Sequence, residues 1–221
     1  QFLEFFPQNI YEIPERKLSE DPINREQEEL LSIVPKDRKK SYEMRDIIKY
    51  VFDEASFFEM TKFFGRGIIT GFARINGYSV GILANDSNFY AGSMSADGAK
   101  KTARFVRTCD TFNIPIVSLV DEPGFLIGPE AESQATILYG TEAVLAVTES
   151  TVPWSTVMIR KSFGVAAAAH YGPDGYVLAW PSAESGPLPL EGGVAVAFKK
   201  EIESAKDPEA KRKEIEQKMS K

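Results

Sequence analysis

The stretch that most constrains the fold of this chain is STVMIRKSFGVAAAA, residues 155–169. Its apolar, β-branched beginning at residues 156–159 is typical of a buried strand. The charged pair Arg160-Lys161 and a Ser-Phe-Gly turn follow, and then a run of small residues indicates a tightly packed helix. Because the first amides of a helix have no partner within the helix, this order of elements leaves backbone N–H groups free at the turn.

Those free amides suggest a chemical role for the turn. The amides of Val165 and Ala166 lie at the positive end of the helix dipole, so they would stabilise a developing oxyanion without a catalytic side chain. Gly164 permits the turn that presents them. The alternative is that Gly164 and the alanines only let a helix lie close to a sheet, and the pattern alone leaves both interpretations open.

Composition excludes several classes of protein. With 221 residues, 43% of them hydrophobic, the chain can bury a substantial core as one large domain or two small ones. No apolar run approaches the roughly 18 to 20 residues that span a bilayer. The formal charge of −6 argues against nucleic acid as the main partner. A single cysteine and a single histidine argue against a disulfide framework and against the common zinc sites, and favour a reducing compartment.

The first third of the chain predicts an arm, two helices and a hairpin. Residues 1–18 contain three phenylalanines and indicate an extended arm packed against an apolar surface. A short helix is expected to begin at Asp21-Pro22. A second helix carries the apolar stripe Ile47, Ile48, Val51 and Phe52. Residues 67–84 read as two strands joined by Asn76-Gly77, a strong hairpin signal.

The rest of the chain continues as alternating strands and helices. A helix over residues 97–112 places Cys109 on its apolar face, which predicts a core thiol rather than a reactive one. A strand at residues 114–120 ends in the loop DEPGFLIG, where open α/β folds place ligands. A helix over residues 130–150, a strand at residues 176–180 and a long helix from Val194 complete the pattern. The elements repeat in form, as ββα units.

We divide the chain into three parts on this basis. Residues 1–60 form the arm and a helical segment, residues 61–205 form the main α/β domain, and residues 206–221 form a charged helical tail. The chain begins with Gln1 rather than Met and stops inside that tail. We therefore expect it to be a fragment of a longer protein.

Several segments resemble the carboxyltransferase (beta) subunit of biotin-dependent acyl-CoA carboxylases of the propionyl-CoA and acetyl-CoA carboxylase type. They are GFARINGYSVGILAN, KKTARFVRTCDTFNIPIVSLVDEPGFLIG, TVPWSTVMIRKSFG and AWPSAE. The match is to the C-terminal, crotonase-like half of that subunit and runs from about Asp21 to about Lys200. The ordered combination of FNIP, D-x-PGF-x-x-G and RK-x-[YF]G makes the resemblance specific.

The resemblance implies a crotonase-like (ClpP/crotonase) α/β fold, built from ββα units with two near-perpendicular sheets and outer helices. It implies transfer of a carboxyl group from carboxybiotin to the α-carbon of an acyl-CoA, with the biotin itself taking the α-proton. Backbone donors for the biotin oxyanion would be Gly164, Val165 and Ala166. The residues expected to contact biotin are Phe163, Gly164, Val165, Ala166, Pro123, Gly124 and Phe125. Ala167 and Ala168 would line the substrate pocket, and no metal is expected.

The resemblance also implies partners and a compartment. Besides acyl-CoA, these are a biotin carboxyl carrier protein, a biotin carboxylase subunit and further copies of the chain, as dimers within a hexamer. An exposed-looking FLEFF arm and the small-residue helix likewise favour at least a dimer. A cytoplasmic location, or the mitochondrial matrix in a eukaryote, is expected. Three alternatives remain: a biotin-dependent acyl-CoA decarboxylase, a crotonase-fold enzyme without biotin, and a non-catalytic assembly module.

The sequence departs from the family pattern in two places. Ala168 stands where the family commonly has an aspartate, so we expect an acyl group that is larger or more apolar than propionyl. The loop SGPLPLEGG replaces the usual Ala-Val-Met-Gly, which leaves the shape of that loop open. The sequence does not decide which acyl-CoA is used or in which direction the transfer runs.

Charged and titratable side chains near these motifs have two interpretations each. His170 is expected to be structural rather than a catalytic base. Asp121 and Glu122 at a strand end are expected to orient a ligand or to serve as turn and cap residues. Arg160 and Lys161 are expected to meet CoA phosphates or a partner subunit, or simply to end a strand.

Overall fold

A computed structural model describes residues 1–38, 40–205 and 207–219 of the chain. The described residues form two compact units, Gln1–Glu184 and Ser185–Lys221. The first unit contains the sheet and every residue that the sequence places in the candidate site. The division into residues 1–60, 61–205 and 206–221 stays a prediction.

A mixed β-sheet is the centre of the first unit. Its strands are β1 (Phe58–Met60), β2 (Ile68–Ile75), β3 (Tyr78–Asn85), β4 (Ile116–Glu122), β5 (Trp154–Phe163) and β6 (Tyr176–Ala179). They lie side by side in chain order. The first three pair antiparallel, and β3 to β6 pair parallel. The α/β class is confirmed. In the described residues all the strands belong to one hydrogen-bonded sheet, so the expected second, near-perpendicular sheet is not formed separately. A short strand, β7 (Glu184–Gly186), follows β6 in the chain.

The hairpin β2–β3 is formed as predicted. Asn76 and Gly77 have φ values of 49° and 78°, which is the left-handed conformation that a two-residue hairpin turn requires. Asp53 fixes the turn from outside, because its carboxylate accepts hydrogen bonds from the amides of Asn76 and Gly77, both at 2.8 Å. The pairing runs without a shift from Ile75↔Tyr78 to Ile68↔Asn85.

Four helices cover the sheet: α1 (Met44–Val51), α2 (Ala96–Thr111), α3 (Pro129–Ser133) and α4 (Thr136–Thr148). The side chain of Ser95 begins α2 by accepting a hydrogen bond from the amide of Gly98 at 3.1 Å. The single helix predicted over residues 130–150 is wrong, because Ala135 adopts a left-handed conformation with φ 57° and separates α3 from α4. Thr136 stabilises this break by donating its hydroxyl to the carbonyl of Ala131 at 2.8 Å.

Alternation along the strands divides the core into two apolar layers. On β2, Ile68 and Phe72 belong to a cluster with α2 and α4, whereas Ile69 and Ala73 belong to a cluster with α1. Cys109 lies fully buried in the first cluster, and burial raises the pKa of its thiol well above the usual value. The prediction of a core thiol is confirmed.

The N-terminal arm packs against the first apolar layer. A 3-10 helix, Phe2–Phe5, places Phe5 in the core, and the ring of Phe6 contacts those of Phe72 and Phe112 at centroid distances of 5.0 Å. The arm therefore binds an apolar surface as predicted. The expectation that its FLEFF segment is exposed is wrong for the phenylalanine side chains, because the surface that they cover belongs to their own chain, whereas Leu3 is exposed.

Residues 21–25 do not form the expected helix. In the described structure they turn toward the end of α1, since Arg25 donates hydrogen bonds to the carbonyls of Tyr50 and Phe52 at 2.9 and 2.7 Å. Asp21 holds the Arg25 guanidinium at 3.0 Å. A 3-10 helix appears later, at Glu28–Leu31.

The second unit consists of α5 (Leu190–Ala197), α6 (Lys199–Glu203) and α7 (Pro208–Met219). The long helix expected from Val194 is interrupted at Phe198, whose φ and ψ of −109° and 20° are not helical. Asp207 begins α7 by accepting a hydrogen bond from the amide of Ala210 at 3.0 Å. Among the helices of the described residues, none is both long and apolar enough to cross a membrane.

Candidate functional site

The turn after β5 presents the backbone amides that the sequence singled out. β5 continues through Arg160 and Lys161 to Phe163, so the charged pair lies within the strand rather than at its end. Gly164 has φ 63° and ψ −165°, a combination that residues with a Cβ rarely adopt. It is followed by a 3-10 helix, Val165–His170. Residues 164–166 are called the amide turn below.

The predicted small-residue helix is thus a six-residue 3-10 helix and not an α-helix. Two features explain its length. The helix packs closely against β4 and α4, which only small side chains allow, and Ala166 and Ala169 are buried there. Gly172-Pro173 then ends the helical path, because a proline disfavours a helical conformation in the residue before it.

The exposed side of this helix carries Val165 and Ala168. Residues three apart in a 3-10 helix lie on the same face, and both side chains are exposed, Val165 at 72%. The amides of the first residues of a helix have no partner within it, so the amide turn directs its donors from this open end. Phe163 and Ala167 are buried, at 4% and 6% exposed, so their side chains do not lie on this open face.

The second predicted segment, residues 123–125, is called the PGF loop below. It follows directly from the end of β4, and Gly124 has φ 131° with no atom near the position that a Cβ would occupy. The register of β4 and β5 pairs Glu122 with Ser162, so the PGF loop begins beside the amide turn. The structure therefore brings together the two segments that the sequence assigned to one ligand. Asp121 joins the two strand ends, because its Oδ1 atom accepts hydrogen bonds from Arg160 Nε at 3.2 Å and from the amide of Lys161 at 3.1 Å.

The PGF loop is held on both sides. The amide of Met94 donates to the carbonyl of Gly124 at 3.2 Å, and the amide of Leu126 donates to the carbonyl of Met94 at 2.9 Å. The ring of Phe125 lies against Gly140 of α4, where no side chain would fit. The loop is thus fixed between the β3–α2 connection and α4.

A cavity of about 610 Å³ opens beyond the PGF loop. Its lining comprises Phe63, Gly65, Arg66, Phe89, Tyr90, Ser95, Asp97, Leu126, Ile127, Gly128, Pro129, Glu130, Ala131 and Gln134. The guanidinium of Arg66 stacks over the ring of Phe89 at 3.6 Å from its centroid. The amide turn does not line this cavity. Its lining instead includes residues 126–131, which follow the PGF loop directly in the chain.

The charged pair of β5 has an internal role. Arg160 and Asp121 form a buried ion pair, with the Nη2 and Oδ2 atoms 2.8 Å apart. Asp121 also accepts from the amide of Lys161 at 3.1 Å, and Arg160 donates to the carbonyl of Lys40 at 2.8 Å. Arg160 is only 3% exposed, so the interpretation as a residue that meets CoA phosphates is wrong for this side chain. Lys161 is half-buried, and burial lowers the pKa of its ammonium.

Glu122 and His170 form a contact that sequence reasoning missed. Both side chains are completely buried, and Glu122 Oε2 lies 3.6 Å from His170 Nε2. Burial raises the pKa of Glu122, while His170, the Gly124 amide and Asn85 act in the opposite direction. The structural interpretation of His170 is confirmed. No sequence signal reveals the pair, because its members come from different elements.

In the described residues, no group of three or more His, Cys, Asp and Glu side chains is arranged to hold a metal ion. The fold and the site therefore define an α/β protein whose candidate site consists of backbone amides at the carboxyl ends of two parallel strands. The side chains of Asp121 and Glu122 at the end of β4 position this backbone, because they accept hydrogen bonds from the amides of Lys161 and Gly124.

The chain belongs to the carboxyl transferase domain family, whose pattern matches residues 1–221. It is 42% identical over 217 residues to the propionyl-CoA carboxylase carboxyltransferase subunit of Haloferax mediterranei, covering 96% of this chain and 42% of that protein. It is 39% identical over 218 residues to the methylmalonyl-CoA decarboxylase subunit alpha of Propionigenium modestum, covering 97% of this chain and 42% of that protein. The resemblance found in the sequence is confirmed.

The fold agrees with a solved structure of the same kind. The transcarboxylase 12S crystal structure, described with hexamer assembly and with methylmalonyl-coenzyme A and methylmalonic acid bound, superposes with a TM-score of 0.90. That protein is 40% identical, and the match covers 98% of this chain and 42% of that chain. The chain thus spans about two fifths of the length of the relatives it matches, and the crotonase-like carboxyltransferase fold is confirmed.

Proposed function

We propose that the protein transfers a carboxyl group between carboxybiotin and the α-carbon of an acyl-CoA, and that this chain is the biotin-facing part. Membership of the carboxyl transferase domain family supports the reaction class. The names of the relatives, a propionyl-CoA carboxylase subunit and a methylmalonyl-CoA decarboxylase subunit, support a CoA thioester as the substrate.

The observation that carries this proposal is the amide turn beside the PGF loop. Biotin supplies the activated carboxyl group when it is bound. The amides of Val165 and Ala166 would donate hydrogen bonds to the ureido oxygen and would stabilise negative charge there. A planar ring fits against the PGF loop, because Gly124 leaves open space where a side chain would otherwise project.

No side-chain base is assigned to the site. His170 is fully buried behind the turn, so it cannot reach a ligand at the exposed face of Val165. Ala168 lies on that same exposed face and presents only a methyl group. A larger or more apolar acyl group than propionyl is therefore part of the proposal.

Two other functions remain on specific grounds. The decarboxylase relative favours the reverse transfer, which uses the same oxyanion donors. A non-catalytic assembly module is kept because the chain spans about two fifths of its relatives.

The partners belong to the proposal as well. They are a biotin carboxyl carrier protein, a biotin carboxylase subunit and further copies of the chain, and the hexamer assembly described for transcarboxylase 12S supports the last of these. A cytoplasmic or mitochondrial matrix location is proposed on the strength of the buried, unpaired Cys109.

A substrate panel tests the reaction. Malonyl-CoA, methylmalonyl-CoA and longer carboxyacyl-CoA esters are incubated with free biotin and the full natural protein, and loss of the carboxyl group is followed. We expect turnover of at least one ester that depends on biotin. Absence of biotin-dependent turnover across the panel, from protein shown to be folded and oligomeric, would overturn the proposal.

A further inference from the structure

Glu122 connects three segments around the PGF loop. Its Oε1 atom accepts hydrogen bonds from the amide of Gly124 at 2.9 Å and from the amide of Met94 at 3.3 Å. Its Oε2 atom accepts from Asn85 Nδ2 at 3.0 Å. Asn85 in turn donates to the carbonyl of Gly92 at 3.0 Å. A single buried carboxylate therefore fixes the PGF loop, the β3–α2 connection and the end of β3.

His170 fixes the helix that follows the amide turn, as Glu122 fixes the PGF loop. It is the last residue of the 3-10 helix that begins at Val165, and its Nδ1 atom lies 2.9 Å from the hydroxyl oxygen of Ser118 on β4. Its carbonyl accepts from Trp154 Nε1 at 2.9 Å and from the hydroxyl of Thr156 at 2.8 Å. His170 thus fixes the far end of the helix to both β4 and β5.

The two side chains meet where these networks approach each other. In the described part of the chain, His170 Nε2 has no hydrogen-bond partner, and Glu122 Oε2 is 3.6 Å away. Both atoms are fully buried, so water does not screen them.

We propose that Glu122 and His170 are positioning residues that set the PGF loop and the amide turn at the separation needed for one ligand. The inference rests on the proposed function, because it assumes that both sets of amides face the same biotin. It goes beyond that function in assigning the separation to two buried side chains that touch no ligand. Glu122 occupies only the variable position of the D-x-PGF-x-x-G motif, and His170 lies outside the segments that carry the family resemblance.

Replacing one member and then both distinguishes positioning from simple stabilisation. Glu122→Met or His170→Met alone leaves a buried group without its partner, which is strongly destabilising. The double variant removes both polar groups and substitutes side chains of similar volume, so the melting temperature should recover in part. Recovery is partial because the donors of Met94 and Asn85 also remain without the Glu122 acceptor. The amide of Gly124 still lacks its acceptor in the double variant, so the PGF loop should remain loosely held.

The experiment measures amide hydrogen exchange and transfer kinetics in the full natural protein. In the double variant we expect exchange at residues 123–126 to stay about tenfold or more above wild type. We expect kcat for carboxyl transfer to stay about 100-fold below wild type, the loss that a small misplacement of reacting groups causes. KM for the acyl-CoA should change by less than about threefold, because ground-state binding of the thioester is not altered.

Two controls complete the test. Glu122→Gln keeps an oxygen for the Gly124 amide, so exchange at residues 123–126 should rise less than in Glu122→Met. Glu59→Gln removes a carboxylate from another largely buried ion pair, with Arg45, and should leave exchange at those residues unchanged. Recovery of wild-type exchange and kcat together with stability in the double variant would overturn the inference. The exchange result does not depend on activity, so it is distinct from a failure of the proposed function.

Discussion

At the scale of single residues, the candidate site depends on backbone conformation and on buried polar groups rather than on reactive side chains. Gly164 permits the turn. In the proposed function, Val165 and Ala166 supply the donors through their amides. The sequence predicted this much, because a Ser-Phe-Gly turn before small residues has few other folds. The Glu122–His170 contact was not predictable, since a pattern along the chain does not show which distant side chains meet.

Gly164→Ala tests the conformation of the amide turn. A Cβ at φ 63° and ψ −165° costs about 1–3 kcal/mol, and the chain will relieve this strain by rotating the amides of residues 165 and 166. We expect biotin-dependent carboxyl transfer to fall by about 100-fold, as for loss of an oxyanion donor. Steady-state kinetics of the folded variant provides the measurement.

Gly77→Ala is the control for a strained glycine outside the site, and its Cβ would in addition overlap the carbonyl oxygen of Lys17. Gly77 also has positive φ, 78°, but lies in the hairpin turn at Asn76-Gly77. Its substitution should destabilise the protein without lowering kcat of the folded fraction. Equal losses of kcat in the two variants would show that the amide turn has no special role.

Lys101 is a buried charged residue whose ammonium group is held by backbone carbonyls. Its ammonium donates to the carbonyls of Thr61, Phe64 and Ile68 at 3.1, 3.0 and 2.7 Å. These carbonyls belong to the connection between β1 and β2, which lines part of the cavity beyond the PGF loop. Burial lowers the pKa of Lys101 from 10.5 to about 8.

The sign of the resulting pH dependence follows from proton binding. Between pH 8 and pH 10.5 the unfolded chain keeps the Lys101 proton more than the folded chain does, so this residue makes stability rise with pH. Lys101→Met lacks this contribution. We therefore expect the free energy of unfolding of wild type, minus that of the variant, to increase across this range in urea titrations.

Lys100→Met serves as the control, because it removes a partly exposed ammonium from the same helix. It leaves the three carbonyl contacts of Lys101 in place. If wild type and Lys101→Met gave parallel curves of stability against pH, the assignment of this dependence to Lys101 would be wrong.

At the scale of elements, the sequence predicted those elements whose conformation is determined by neighbouring residues in the chain. The hairpin follows from Asn76-Gly77, and α2 follows from its apolar spacing and the Ser95 cap. The break at Ala135 and the 3-10 form of residues 165–170 follow from packing against neighbouring elements, which periodicity does not show. The family resemblance assigned the PGF loop and the amide turn to one ligand, and the register of β4 with β5 is what brings the two segments together.

The N-terminal arm offers a test at this scale. Phe5 is 3% exposed, and its ring lies 5.8 Å from that of Phe72 in a stacked arrangement. Phe5→Ala should lower the free energy of unfolding by about 3 kcal/mol, through lost burial and the cavity that remains. Denaturant titration measures this loss.

Leu3→Ala is the matched substitution on the same arm. Leu3 is 78% exposed, so its truncation should change stability by less than about 0.5 kcal/mol. Similar effects of the two substitutions would mean that the arm is not held by the core contact of Phe5.

At the scale of the whole molecule, apolar side chains remain exposed on the first unit. Ile137 and Leu138 on α4 and Tyr176 and Leu178 on β6 are each about half exposed or more. Since the FLEFF arm is occupied within its own chain, these surfaces now provide the grounds for expecting self-association.

We predict that the protein is at least a dimer at micromolar concentrations. Light scattering coupled to size-exclusion chromatography gives the molar mass directly. Leu138→Glu, which places a charge on the exposed side of α4, should shift the equilibrium toward smaller species without lowering the melting temperature. A wild-type protein that is monomeric throughout the micromolar range would contradict the prediction.

The parallel pairing of β4, β5 and β6 also has a consequence for biosynthesis. The hairpin β2–β3 needs only neighbouring residues and can form as soon as it leaves the ribosome, whereas Ile116 must wait for Trp154. The amide turn follows β5, and the other neighbour of β5, β6, joins the sheet later still. In a nascent chain the hairpin β2–β3 therefore folds before the amide turn is fixed. A chain arrested before Tyr176 should already protect the hairpin from proteolysis, while the amide turn is still cleaved.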